Sequence, residues 1–156
     1  MLKLFYSAAV YMVLGVASGL YYRELTKLTD FPAGQSTQLG EVHGHLLTLG
    51  FVVFLLVLVL EKLFVLSRSP LFTWFFWVYN AGLVLTVGMM IWHGTSTVLG
   101  GSFGAALSGI AGLGHITIAT GLALLFVALG QRITADVREG NAGVVNTAGV
   151  TTNRAG

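Results

Sequence analysis

The sequence predicts an all-α membrane protein: a four-transmembrane-helix, up-down-up-down bundle with both termini cytoplasmic. Three observations predict it. Hydrophobic residues make up 55% of the 156-residue chain and charged residues only 9%, with a mean hydropathy of +0.83, a balance foreign to soluble domains. Four apolar segments each reach the roughly 20 residues that cross a hydrocarbon core as helix, and none carries the wet face a soluble helix needs. Lys and Arg concentrate on one side of these segments, as the positive-inside rule describes.

The first helix is expected over about Leu4–Tyr22. Lys3 ahead of an apolar run and small Ala17 and Ser18 behind it also suit a secretory leader, but the run is of full span length and reads as a retained helix. From Arg23 to Gly40 the chain turns polar, with Pro32 and Gly34, and reads as a loop opening on a short amphipathic turn. The second helix is expected over 40–66, with Glu61 and Lys62 marking its emergence among headgroups. Ser67 to Pro70 form a tight turn. Pro70 stands at the first turn of the third helix, where its missing N–H costs little. That helix is expected over 71–93, with Trp74, Trp77 and Tyr79 near its start and Trp92 near its end, like the aromatic belts of membrane spans. A chargeless Gly/Ser/Thr-rich loop, Gly94 to Leu107, leads to the fourth helix, 108–131. Residues 1–131 are thus the bundle and 132–156 a polar, linker-like tail.

Lys3, Lys62, Arg68, Arg132, Arg138 and Arg154 fall on one side of the expected spans, and Arg23 and Lys27 on the other. Six against two places both termini in the cytoplasm and the protein in a bacterial inner membrane. The small net charge, +2, and the lack of a basic patch interleaved with aromatics argue against nucleic acid. With no cysteine, disulfides, thiolate metal sites, iron–sulfur clusters and covalent heme attachment are excluded. No nucleophile–base arrangement, phosphate loop or pair of broken helices in matched halves speaks for hydrolysis or for a complete transporter.

The four histidines, His43, His45, His93 and His115, lie on three of the four segments. At about 1.5 Å of rise per residue, all fall in the outer half of the membrane. Imidazole is costly there unless paired, and neutral imidazole is a common ligand for metals and heme iron. His43 and His45 point about 200° apart and cannot share one small site. Gly40, Gly44 and Gly50 surround His43, whereas Leu49, Val52 and Leu56 flank His45. Glycines admit a flat macrocycle or another helix at close range. His115 sits among Ser108, Ala111, Gly112, Ile118 and Ala119, a small-residue groove. The expected axial pair is therefore His43 with His115, on the second and fourth helices, diagonal neighbours in the bundle. His45 and His93 are secondary ligand candidates. Gly44, Gly50 and Gly112 would make room for the group, Arg23 would meet heme propionates, and Thr48, Thr86 or Thr95 would orient ring N–H groups. Met89 and Met90 read as gap fillers. The cofactor expected is noncovalent heme b, with copper or zinc as the alternative.

The run Glu41-Val42-His43-Gly44-His45-Leu46-Leu47-Thr48-Leu49-Gly50-Phe51 resembles the second helix of heme-copper oxidase large subunits. In that family an H-G or H-x step opens a long apolar helix near its outer end, and that histidine is an axial ligand of the low-spin heme. The resemblance implies His43 as one ligand of a b-type heme. It covers one helix, and the chain lacks both the paired His-His run and the late H-x-H, so no binuclear oxygen-reducing centre is implied. The whole chain also resembles small, uncharacterised four-helix bacterial membrane proteins with histidines on the later helices. The function expected is bis-histidine heme binding for electron transfer or for heme or redox sensing, rather than catalysis. A metal or heme handling accessory protein and a cofactor-free structural or assembly protein are the alternatives. The partners expected are the lipid bilayer, heme, a second copy of the chain, and a redox partner protein or quinone. The Gly15–Gly19 small-xxx-small pair reads first as packing within the bundle and second as a dimer surface.

Overall fold

A computed structural model describes residues 1–32, 34–101 and 105–152, with side chains described at all of these except 105–109, 111 and 139–152. Among the described residues there is no strand. The helices are α1 (Leu2–Leu28), α2 (Gln38–Phe64), α3 (Pro70–Val98) and α4 (Ala105–Thr152). The first three, and Gly112–Arg138 within α4, are long and apolar enough to cross a membrane.

Each helix meets its neighbours through a narrow seam. On α1 the buried residues are Leu4, Ala8, Tyr11, Gly15 and Ser18, in alternating steps of four and three. Phe5, Val13, Val16 and Leu20 point outward from the same helix. Exposed apolar surface on this scale is unfavourable in water and ordinary in lipid. α4 repeats the pattern with Gly114, Ile118, Gly121, Leu125 and Ala128. On α2 the buried positions are Leu39, Val42, Leu46, Gly50, Phe54, Val57 and Glu61. Three successive steps of four would carry the seam off the inner face of a regular α-helix. A π-helical turn at Leu46–Val52 absorbs the extra residue and holds Gly50 and Phe54 inward. There the Val53 N–H bonds the Thr48 and Gly50 carbonyls and passes over Leu49. The Tyr79 hydroxyl donates to the Leu49 carbonyl at 2.9 Å.

The register of contacts gives the helix directions. Tyr11 meets Gly50, Gly15 meets Leu47, Gly19 meets His43 and Tyr22 meets Gly40, so α1 and α2 are antiparallel. α3 runs against α2, with Gly94 at Leu39, Tyr79 at Leu49 and Phe75 at Phe54. α4 runs against α3, with Gly114 at Thr86, Ile118 at Gly82 and Gly121 at Tyr79. α3 is the central helix: 44% of its span window is buried, against 28% for each of the others. Its approach to α4 is close because both helices present glycine. A Cβ at Gly82 would lie 2.7 Å from the Ile118 backbone nitrogen, and one at Gly121 would lie 2.9 Å from Tyr79 Cβ.

At the end that holds the α2–α3 turn, polar groups close the bundle. Glu61, buried, accepts the Ser67 N–H at 2.8 Å, and Ser69 donates to Gln131 at 3.0 Å. Arg132 Nε donates to the Phe64 carbonyl at 3.0 Å, capping α2, while its guanidinium pairs with Asp136 at 3.2 Å. Lys3 Nζ lies 4.7 Å from the centre of the Phe76 ring.

Three helices outrun the expected bounds. α1 continues to Leu28 through residues expected to be loop, with the Thr26 and Thr29 hydroxyls donating to the Tyr22 and Leu25 carbonyls. α3 continues past His93 to Val98, where Thr97 donates to the His93 carbonyl and Thr37 to the Gly94 carbonyl. Ser and Thr favour loops in water by competing for backbone bonds. Here they turn those bonds back onto helix carbonyls. α4 continues past Gln131 to Thr152, where a linker-like tail was expected; residues 153–156, including Arg154, lie outside the described residues.

Candidate functional site

The site is set by the phase of α2. Its buried seam runs through Val42 and Leu46. At about 100° per residue, His43 and His45 fall on opposite flanks of that seam. α1 occupies one flank: a Cβ at Gly19 would lie 3.6 Å from His43 Cβ. α4 occupies the other, where the His45 and His115 ring centres are 6.5 Å apart with their planes at 89°. The structure therefore sets His115 beside His45, where His43 was the expected neighbour. The glycines that favoured His43 serve helix packing instead. A Cβ at Gly40 would lie 3.4 Å from the Tyr22 ring, and one at Gly50 would lie 2.5 Å from Tyr11. Both tyrosines belong to α1. Gly44 and Gly112 differ, since a Cβ at either would meet nothing within 4 Å among the described residues.

A backbone carbonyl orients the His45 ring. Its Nδ1 lies 3.0 Å from the Glu41 carbonyl, one helical turn back. A carbonyl only accepts, so Nδ1 carries the hydrogen, and in the neutral ring Nε2 keeps the lone pair. Metal-bound histidines are commonly oriented this way. Beside the ring lies an open-sided groove of about 320 Å³, lined by Glu41, Gly44, His45, Thr48 and Leu49. Of the three threonines expected to support the site, only Thr48 lines this groove. Thr86 packs against Gly114 with its hydroxyl buried and unpartnered among the described residues, and Thr95 lies 3.2 Å from the Tyr21 hydroxyl.

The other expected site residues lie elsewhere. His93 follows Gly82 and Thr86 along the stripe of α3 that faces α4, two turns above Thr86. No group of three or more His, Cys, Asp or Glu side chains suited to a metal occurs among the described residues, so His93 does not complete a three-ligand site with the pair. Arg23 is exposed on α1, which packs on the flank of α2 opposite His45, and it pairs with Glu24 at 3.7 Å. Met90 is buried in the core, as a gap filler would be. Two features went unread in the sequence. The Glu41 carbonyl that holds His45 leaves no trace in side-chain identity. The π turn was signalled by the spacing Leu46, Gly50, Phe54, which a regular seam does not produce.

Fold and site together define a small helical membrane protein with a histidine pair between two of its helices, beside a groove. The chain belongs to the family described as protein of unknown function (DUF2871), whose model matches residues 1–132. No curated protein and no solved structure matches the chain. The resemblance of one helix to heme-copper oxidase large subunits finds no support in these comparisons.

Proposed function

We propose that this chain is an integral membrane protein that holds one b-type heme between His45 and His115, for electron transfer or for redox or heme sensing. The observation that carries the reading is the pair itself: two imidazoles from different helices, 6.5 Å apart, one of them held by a backbone carbonyl. Imidazole nitrogens bind metals at about 2.0–2.1 Å, so two rings on opposite sides of one metal ion have centres about 6 Å apart. Heme favours such a site over zinc or copper. The porphyrin supplies four ligands and asks the protein for two, whereas a zinc site takes three or four from the chain. The groove at Gly44 and the open space at Gly112 leave room on both helices beside the rings. When bound, heme supplies a one-electron couple. His45 and His115 would hold it, with the Glu41 carbonyl orienting the His45 ring so that Nε2 is the nitrogen left to bind.

Lys3, Lys62 and Arg132 gather at the α2–α3 turn end, against Arg23 and Lys27 at the other. This asymmetry supports a cytoplasmic turn end and an outward-facing histidine end. The test is heme quantification as the pyridine hemochrome, with metal analysis, on protein purified after expression with heme supplied. The reading expects one heme b per chain. Stoichiometric zinc or copper without porphyrin absorbance, or a colourless and metal-free protein, contradicts it.

A further inference from the structure

A second polar site lies in the membrane interior, on the α1–α3 side. Asn80 sits on α3, about 6 Å along the axis from the helix midpoint at Val84. Its Oδ1 accepts the Tyr11 hydroxyl at 2.6 Å, and one amide N–H donates to the Phe76 carbonyl at 2.6 Å. An amide carries two N–H donors, and the second is uncommitted among the described residues. Asn80 is only half-buried, in a groove of about 300 Å³ lined also by Tyr6, Ser7, Val10, Leu14 and Val84. A spare amide donor facing hydrocarbon is unfavourable unless something accepts from it.

We infer that this groove binds an apolar ring compound bearing an acceptor carbonyl, the chemistry of an isoprenoid quinone. Depth separates this ligand from a phospholipid. Ester carbonyls lie at the edge of a core about 30 Å thick, roughly 15 Å from its midplane, whereas Asn80 lies well inside. A second copy of the chain is the competing occupant, and the oligomeric state in the test below separates the two. The Asn80 N–H donates to the ring carbonyl, Tyr11 fixes the amide's orientation, and the apolar walls take the ring and the start of its tail.

The inference does not rest on heme binding, since the groove is built by α1 and α3 and the histidine pair by α2 and α4. The test is calorimetric titration of the full-length protein in detergent with a benzoquinone carrying a decyl tail, against a micelle blank. Saturable binding is expected, with affinity falling roughly tenfold in Asn80→Leu, the loss of one hydrogen bond. Val84→Trp, which fills the groove without touching the amide, is expected to abolish binding while thermal unfolding stays cooperative. Two results overturn the inference. One is absence of saturable binding by the unmodified protein, or binding indifferent to both substitutions. The other is an Asn80-dependent dimer that binds no quinone, which assigns the amide to contact between copies.

Discussion

His43 and His45 stand two positions apart, and that step decides which helix each faces. His43 stands beside α1, and His45 stands across from His115 with its Nδ1 on the Glu41 carbonyl. That histidines of separate helices would meet was legible in the sequence, because imidazoles lie at similar heights on three apolar segments. Which two meet was not, because glycine has two uses that look alike in one dimension. Gly40 and Gly50 admit tyrosines of α1, while Gly44 opens onto the groove beside His45. The difference is testable. Gly44→Leu is expected to lower heme occupancy at near-normal thermal stability, and Gly50→Leu to lower stability by about 3 kcal/mol, the cost of overpacking; hemochrome yield and melting temperature separate the two. Tyr79→Phe strips the Leu49 carbonyl of its side-chain donor. It is expected to cost about 1–3 kcal/mol, read as a lower unfolding midpoint in detergent.

Among the elements, α2 carries most of what could not be foreseen. The four helices follow from apolar length alone, but a π turn follows only from seam spacing. Leu46, Gly50 and Phe54 repeat every four residues where a regular seam alternates three and four. Deleting Thr48 restores that alternation below Leu46. The variant is expected to stay folded, with the Tyr79–Leu49 hydrogen bond lost and the melting temperature close to that of Tyr79→Phe. By contrast, Gly82→Leu drives a side chain into the Ile118 backbone and is expected to abolish cooperative unfolding. The helix ends depart from the sequence expectation for a related reason. Thr26, Thr29 and Thr97 read as loop residues by aqueous preference, yet each hydroxyl bonds a carbonyl of its own helix.

As a whole molecule, the bundle buries little and exposes much. Three of its four spans bury only 28% of their apolar window, so lipid supplies the remaining cover. The orientation proposed for it rests on basic residues at the turn end. The chain has no cysteine, which makes single-cysteine labelling clean. Ser36→Cys is expected to react with a membrane-impermeant maleimide added to intact cells, and Ser67→Cys only after permeabilisation; the reverse pattern inverts the orientation.

The central claim, that His45 and His115 are the two ligands of one heme, is most directly tested by reduced-minus-oxidised spectra of the purified protein and its histidine variants. A low-spin b-type signal is predicted, retained in His43→Ala and His93→Ala and lost in both His45→Ala and His115→Ala. A signal that survives in His45→Ala, or one that disappears in His43→Ala alone, contradicts the assignment.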